Sequence, residues 1–441
     1  MSYFKVLYEK IRHVIFNSAW LFLDKCIRMF VGIAINAMLA HSVGPQEFGL
    51  FSYTLAVIAF FQVIVYFGLD GIIVRELTHT KDKASVFIIV LLARLTFGIL
   101  SYLILISWYA MKFGFQSDEF FLISVLGAWL LLLFIDSIDL WFQSCSQSKR
   151  TVIFKFVPFV IFSCLKYFML KKGVSIKDFS IIFLLELVVN AFFLVLAYTK
   201  YPISGKAELN FDKCSRILKE CWPFILSSLS VIIYMRIDQV IISNYLGVKE
   251  LGIYSAVLPF SLSWVVVANV LYVSLLPYVS NVKRNEGNGE YLKLIEGAFF
   301  VFSLCAWCII FIIFTWADDI VEILLGQDYL AGITTLKIHL FSIVPIFLGI
   351  AQGVWIINER KSKITLYRTS IGALLACGLN VFLIPKLGIV GASITSVITQ
   401  FTSTILLNFI FAREIFKFQI RTLFLIPYLV VKIKEMRGRL G

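Results

Sequence analysis

The sequence predicts an all-α integral membrane protein of about twelve transmembrane helices in two duplicated six-helix lobes. Hydrophobic residues make up 60% of the 441 residues and charged residues only 15%, a composition typical of a chain embedded mostly in lipid. The apolar residues form long uninterrupted segments, and two parts of the chain repeat each other in the same order. Together these observations favour a duplicated helical membrane bundle over any soluble class.

Twelve apolar segments are long enough to cross a bilayer, which takes roughly 17 to 25 residues. They cover residues 15–39, 48–69, 86–111, 120–142, 152–170, 179–199, 223–246, 251–280, 295–316, 333–357, 365–385 and 388–412. A shorter apolar run at 423–431 is predicted to lie at the membrane interface. No cleavable signal peptide is expected, because the first segment is too long and contains Asp24, Lys25 and Arg28.

The duplication is visible as two pairs of similar stretches. The sequence GPQEFGLFS at 44–52 returns as GVKELGIYS at 247–255, and Trp141 with the following Ser-Lys and Thr returns at Trp355. The second pair has the larger offset, which fits an insertion in the stretch 317–332. The repeat predicts an N-terminal lobe at 1–205, a C-terminal lobe at 206–418, and an interfacial segment with a basic tail at 419–441.

The net charge is +13, and the distribution of the basic residues along the chain predicts the membrane topology. About two thirds of the 40 Lys and Arg residues lie at the chain ends and in alternate connections between the predicted helices, and few lie in the other connections. The positive-inside rule therefore predicts that both termini are cytoplasmic. Because the basic residues are spread along connections in this way, no nucleic-acid partner is predicted.

No catalytic, metal or cofactor motif is apparent. The eight cysteines are scattered, and Cys305-x-x-Cys308 lies inside an apolar helix, where thiols pack as small apolar groups. The four histidines are far apart, and no phosphate-binding loop or nucleophile elbow is present. The sequence therefore predicts a protein that is not an enzyme and needs no cofactor or metal.

Five charged residues lie near the middle of predicted helices: Asp24, Lys25 and Arg28 in the first, and Arg236 and Asp238 in the seventh. Each costs about 2.5–3.5 kcal/mol at a helix centre facing lipid, so they should face protein or a wet cavity. Asp24 and Arg28 are one turn apart and could pair. Because the two helices are equivalent in the duplication, both groups could border one cavity. This cavity would accept an anionic group of a substrate; alternatively, the charges form a buried network that fixes helix packing.

Other intramembrane charges have more local interpretations. Glu186 could carry a coupling proton or could be a hydrogen-bonded packing residue. Arg94, Lys337 and Arg368 lie within about two turns of their predicted helix ends, so their long side chains are predicted to reach the headgroups.

Four stretches resemble the polysaccharide transporter family, the O-antigen flippases, which share a superfamily with multidrug and toxin extrusion proteins and lipid II flippases. They are 44–52, 66–77 (YFGLDGIIVREL), 234–239 (YMRIDQ) and 380–392 (NVFLIPKLGIVGA). The last stretch is the most specific. The chain departs from the family pattern at 141–147, where a glycine and an acidic residue are expected after the glutamine.

The resemblance implies a V-shaped pair of lobes that opens alternately to each side of a bacterial inner membrane. The implied substrate is an undecaprenyl-diphosphate-linked oligosaccharide that moves from the cytoplasmic to the periplasmic leaflet. Lys25, Arg28 and Arg236 would attract the diphosphate or acidic sugars, and Asp24 and Asp238 would hold these cations or take up protons. Membrane lipids, a polysaccharide polymerase and a chain-length regulator are the implied partners.

Other functional classes fit less well. A drug or cation antiporter on the same fold would prefer an acidic, aromatic-lined cavity. A polymerase or glycosyltransferase would need a larger outer loop than residues 317–332. A lipid II flippase would have helices beyond twelve and a more arginine-rich cavity, and a structural scaffold would not explain mid-membrane charges in both halves.

Overall fold

The computed structural model describes residues 2–68, 73, 76–77, 80, 82–145, 147–203, 205, 211–285 and 287–424. This part of the chain is 91% helical and contains no strand. Its helices are α1 Ser2–Tyr66, α2 Lys83–Phe113, α3 Asp118–Gly127, α4 Trp129–Leu132, α5 Asp136–Ser144, α6 Ser148–Lys171, α7 Ile176–Lys200, α8 Phe211–Leu246, α9 Val248–Leu262, α10 Val265–Asn285, α11 Asn288–Thr315, α12 Ala317–Leu324, α13 Gly332–His339, α14 Ile343–Asn358, α15 Ser362–Phe401, α16 Asn408–Phe411 and α17 Arg413–Leu423. A π-helical turn, Thr402–Leu406, leads from α15 towards α16.

Nine helical stretches within the described residues are long and apolar enough to cross a membrane. They are Asp24–Tyr66, Lys83–Phe113, Asp118–Ser144, Lys149–Lys171, Ile176–Lys200, Val248–Asn285, Asn288–Thr315, Gly332–Asn358 and Ser362–Phe411. The prediction of an all-helical, multi-pass membrane protein is therefore confirmed. The apolar run predicted to be interfacial, 423–431, and the basic tail after it lie outside the described residues beyond position 424.

Glycines in unusual backbone conformations divide several of the long helices. Gly44 interrupts α1 with φ 76° and ψ 170°, and Gly388 interrupts α15 with φ 64°. Gly247, between α8 and α9, has φ 93°. These positive φ values are accessible to glycine without steric cost. Gly44 and Gly247 are equivalent in the sequence repeat, so the repeat extends to backbone conformation.

The helices that follow these two glycines cross at very short range. A Cβ atom added to Gly49 would lie 1.9 Å from the carbonyl oxygen of Val248, and one added to Gly252 would lie 1.8 Å from that of Pro45. Each contact is the repeat image of the other, since positions 45 and 49 correspond to 248 and 252 in the second copy. Glycine is required at both positions for the backbones to approach this closely.

The contacts between residues divide the chain into two compact units. The central unit is Ala34–Gly252, and the terminal unit combines Met1–Ile33 with Ile253–Gly441. Within the central unit, Phe51 packs edge-on against Phe179, with 5.8 Å between ring centroids. Within the terminal unit, Phe302 packs against Phe347 with centroids 6.5 Å apart. The lobe boundaries predicted from the repeat, at 1–205 and 206–418, remain a prediction.

Candidate functional site

Two of the charged residues of α1, Asp24 and Arg28, form an ion pair, and the cation Lys25 lies beside them in the sequence. Arg28 Nε donates hydrogen bonds to both carboxylate oxygens of Asp24, at 2.9 and 3.0 Å. Their side chains are only 30% and 14% exposed, whereas Lys25 is an exposed residue. This is the contact that their i, i+4 spacing predicts. The arrangement leaves α1 with an ion pair and, one residue beyond Asp24, an ammonium group on an accessible face.

The two charged residues of α8, Arg236 and Asp238, differ in solvent exposure. Arg236 is exposed and its Nη1 donates to Gln239 Oε1 at 3.3 Å, whereas Asp238 is only 7% exposed. The Oδ1 atom of Asp238 accepts a hydrogen bond from the backbone N–H of Gln239 at 2.8 Å. Two residues apart on a helix correspond to about 200°, which accounts for the difference in burial. The accessible group of this helix is therefore the guanidinium.

Glu186 of α7 has a cationic partner. Lys166 Nζ of α6 donates to Glu186 Oε2, and the two side chains are 9% and 16% exposed. The ammonium also lies 5.6 Å from the Phe179 ring centroid and 5.1 Å from that of Phe183. The carboxylate thus lies in a largely buried ion pair between two helices.

The prediction that Arg94 reaches the headgroups is wrong, because this arginine is completely buried. Its guanidinium lies 5.3 Å from the Tyr66 ring centroid, and Nη1 donates to Ser137 Oγ at 3.5 Å. The Tyr66 hydroxyl in turn donates a hydrogen bond to Asp136 Oδ2 at 3.3 Å. A polar cluster from three parts of the chain therefore holds the charge inside the central unit.

Arg368 is also buried, at 6% exposure, so the same prediction is wrong there. Its Nη1 donates to Gln352 Oε1, sixteen residues earlier, and its Nε donates to the carbonyl oxygen of Ser403 in the π-helical turn. In the central unit, Lys155 Nζ donates at 2.9 Å to Asp139 Oδ2, also sixteen residues earlier. The Lys155–Asp139 and Arg368–Gln352 contacts are offset along the chain by almost the same number of residues as Trp141 and Trp355. In each repeat, a cation on one helix therefore bonds a polar acceptor on the helix before it.

Lys337 behaves differently from these arginines. Its Nζ donates to the two carboxylate oxygens of Asp318 at 3.0 and 2.8 Å, and its side chain is 29% exposed. Asp318 belongs to α12, in the connection that the repeat comparison identified as an insertion.

Sequence reasoning missed a buried amide network in the terminal unit. The side-chain amides of Gln352 and Asn408 exchange two hydrogen bonds of 2.9 Å, and Asn408 Nδ2 also donates to Gln419 Oε1 at 2.7 Å. All three residues are fully buried. Amides within otherwise apolar segments were the signal that could have identified them. The network joins α14, α16 and α17 and ends at Arg368, beside a π-helical turn of the kind often found at functional sites.

These charges define what the membrane-embedded region can do. Lys25 and Arg236 are exposed cations and Arg28 is partly exposed in its pair with Asp24, whereas Lys166 of α6 and Arg368 of α15 are buried against partners. Guanidinium and ammonium groups bind phosphate and carboxylate oxygens. Across the described residues, no three His, Cys, Asp or Glu side chains lie close enough together to hold a metal ion.

A multi-pass helical bundle with charged side chains inside its membrane segments is characteristic of membrane transport proteins. The chain belongs to the polysaccharide biosynthesis protein family, whose model matches residues 14–283. This confirms the family resemblance predicted from the sequence.

Two curated relatives match nearly the whole chain. The capsular polysaccharide biosynthesis protein CapF of Staphylococcus aureus is 22% identical over 404 residues, covering 90% of this chain and 99% of the relative. A putative O-antigen transporter of Shigella flexneri is 21% identical over 429 residues, covering 91% and 98%.

Solved structures have the same fold. An inward-facing multidrug resistance MATE family transporter of the MOP superfamily superimposes with a TM-score of 0.71 at 16% identity, covering 89% of this chain and 95% of its own. The lipid II flippase MurJ in an inward closed conformation gives a TM-score of 0.69 at 15% identity, covering 92% and 91%. At these identities the likeness establishes the fold alone.

Proposed function

We propose that this protein is a flippase that moves an undecaprenyl-diphosphate-linked oligosaccharide from the cytoplasmic to the periplasmic leaflet of a bacterial inner membrane. The proposal rests on membership of the polysaccharide biosynthesis family together with accessible cations: Lys25 and Arg28 lie in the membrane stretch Asp24–Tyr66, and Arg236 lies in α8. A diphosphate carries negative charge that must pass a region of low dielectric. Fixed guanidinium and ammonium groups would lower the cost of that passage.

The proposed roles follow from exposure and pairing. Lys25, Arg28 and Arg236 attract the diphosphate or acidic sugars, because their head groups are accessible or half-accessible. Asp24 holds the Arg28 guanidinium through its two short hydrogen bonds, and Asp238, buried on the same helix as Arg236, contributes the opposing charge. In this proposal the transport step is binding and release, and polymerisation belongs to a separate polymerase with its chain-length regulator.

The proposed topology has twelve crossings. Gly44 and Gly388 each divide one of the nine long apolar stretches of the described chain into two segments, and each segment is long enough to cross a bilayer. The α8 helix, Phe211–Leu246, adds a further 36-residue helix that is long enough to span. The nine stretches, the two further segments created by the breaks at Gly44 and Gly388, and α8 together support twelve crossings. An even number of crossings is consistent with both termini in the cytoplasm.

Antiport of drugs or organic cations is the second candidate, since a MATE transporter shares the fold. The basic residues at 25, 28 and 236 oppose it, because a cationic substrate would be repelled by them at close range. The flippase therefore remains the better supported function.

The test is complementation of a deletion strain at matched membrane abundance. Surface polysaccharide and lipid-linked repeat units would be measured with the wild type, Arg28→Ala, Arg236→Ala, and the charge-conserving variants Arg28→Lys and Arg236→Lys. Lys172→Ala, at an exposed position just beyond α6, is the matched control. We expect the alanine variants to lose polymer and accumulate lipid-linked units, and the lysine variants to retain part of the activity.

Two results would overturn the proposal. Unchanged polysaccharide in the deletion strain would remove the flippase assignment, and restored drug resistance on complementation would favour the antiporter. Full export by both alanine variants would remove the binding role of these arginines while leaving the assignment intact.

A further inference from the structure

The last described helix, α17, has three distinct faces. Ile415, Gln419 and Thr422 are buried on one face. Arg413, Lys417 and Arg421 are exposed and follow each other at intervals of four residues, forming what we call the basic stripe. Residues four apart on a helix lie above one another, so the three cations share one side of α17.

An apolar stripe runs directly beside the basic stripe. Phe416, Ile420 and Phe424 also follow at intervals of four, and Ile420 and Phe424 are 41% and 62% exposed. Phe416 and Ile420 each lie three residues after a basic residue, which places them about 60° to the side of it on α17, and Phe424 directly follows the end of the helix. An exposed apolar stripe flanked by cations is the pattern of a helix that meets the boundary between acyl chains and anionic headgroups.

The position of α17 is fixed by buried contacts. The carbonyl oxygen of Leu423 accepts hydrogen bonds from Trp307 Nε1 at 2.7 Å and Ser303 Oγ at 3.3 Å, both in α11. Gln419 bonds Asn408, close to the end of the last membrane stretch at Phe411. The exposed faces of α17 are therefore held in one orientation next to a membrane segment.

Most of the charge on the basic stripe is available to a ligand. Arg421 lies 3.5 Å from Glu296 Oε1 and is still 53% exposed, and Lys417 has no ion pair within the described part of the chain. Arg413 rests over the Phe409 ring at 5.7 Å, and Glu414 is the acidic neighbour on α17. The face retains a net positive charge beside apolar side chains.

We propose that this face of α17 binds the phosphate headgroups of anionic phospholipids in the leaflet that receives the C-terminus. The apolar stripe meets the acyl chains, and the long cationic side chains extend to the headgroups. Because Gln419 connects α17 through Asn408 and Gln352 to Arg368, the bound lipid also stabilises the buried network around the π-helical turn. This surface shares no residue with the cations at positions 25, 28 and 236.

The experiment measures lipids retained by the full-length protein after purification from mixed phosphatidylcholine and phosphatidylglycerol bilayers, using mass spectrometry. Wild type should retain phosphatidylglycerol preferentially, and salt should weaken that preference. Each basic residue near an anionic surface contributes about fivefold in affinity, so the Arg413→Gln, Lys417→Gln, Arg421→Gln triple variant should bind on the order of 100-fold more weakly. The triple variant Lys112→Gln, Lys171→Gln, Lys172→Gln removes equal charge from other exposed positions and should retain the preference.

Three results would overturn the proposal: a wild-type protein with no preference for phosphatidylglycerol, equal retention by the basic-stripe variant, or displacement by a polyprenyl diphosphate but not by added phosphatidylglycerol. The last result would assign the stripe to the transported substrate. If the glutamine variant does not accumulate, the Arg413→Lys, Arg421→Lys variant should accumulate and keep the preference. Loss of the preference in that variant would show that charge is not the determinant.

Discussion

At the scale of single residues, Arg28 is held by a carboxylate on its own helix. Its Nε bonds both oxygens of Asp24, so the guanidinium keeps an orientation while 30% of the side chain stays exposed. A fixed cation of this kind loses less conformational entropy when it binds an anion than a freely rotating one. The proposed division of labour is that Arg28 binds and Asp24 positions.

The Asp24→Asn substitution tests that division. It keeps the size of the side chain and removes the charge, so we expect transport to fall by roughly fivefold, the value of one partly exposed ion pair. Arg28→Ala should cost at least about tenfold, because a charge-assisted hydrogen bond to substrate is lost. The double variant should transport no worse than Arg28→Ala when lipid-linked units are counted at matched abundance. An additive loss would mean that Asp24 acts independently, for example as a proton carrier.

The Lys166 and Glu186 pair gives a second residue-scale prediction. Both side chains are largely buried, so Lys166→Met or Glu186→Gln alone should cost about 3–5 kcal/mol, because each leaves one charge without its partner. The Lys166→Met, Glu186→Leu double variant should be close to wild type in thermal stability in detergent. Full transport by that double variant would exclude a coupling role for Glu186, whereas a stable protein without transport would support one.

The residue scale also separates what the sequence could predict from what it could not. The Asp24 and Arg28 contact is one helical turn long, so spacing alone predicts it. Depth along a helix alone predicts that Arg94 and Arg368 extend to the headgroups. Their partners come from Ser137, 43 residues away, and Gln352, 16 residues away, so tertiary packing decided the outcome. The exposures of Lys25 and Arg236 likewise depend on neighbours from other helices.

At the scale of helices, the most demanding contact is the crossing at Gly49 and Gly252. The sequence repeat placed these glycines in equivalent positions but did not indicate that the two copies touch each other. A methyl group at either glycine would lie less than 2 Å from a carbonyl oxygen, so neither position allows a side chain. The spacing of α1 and α9 at this point therefore depends on both glycines.

Alanine substitution should open this crossing. Gly49→Ala and Gly252→Ala each require backbone displacement, and overpacking of this kind costs about 1–3 kcal/mol. We expect a lower thermal midpoint for each variant and a double variant little worse than the singles, since both relieve the same contact. Gly378→Ala is the matched control, because nothing lies within 4 Å of its added methyl group and alanine favours a helix. Equal stability of all four variants would show that the crossing is loose.

At the scale of the whole molecule, composition and charge distribution were sufficient to predict a helical membrane protein, because lipid forces backbone hydrogen bonds into helices. The number of crossings depends on smaller features. Gly388 changes the direction of the backbone within a 50-residue apolar stretch, Ser362–Phe411, so this stretch can supply one crossing or two. Hydropathy cannot separate these cases, whereas a positive φ at a single glycine favours two.

Cysteine accessibility can decide the matter at three exposed lysine and arginine positions. In a background without the eight native cysteines, Lys361→Cys, Lys386→Cys and Arg413→Cys would be labelled in intact cells and in opened cells. In the proposed topology, two crossings place 361 and 413 on the cytoplasmic side and 386, next to Gly388, on the outer side. Since basic residues concentrate on the cytoplasmic side, 361 and 413 should react only after the cells are opened. Labelling of 361 and 413 from opposite sides would mean that the stretch crosses once, and the twelve-crossing topology with both termini inside would then be wrong.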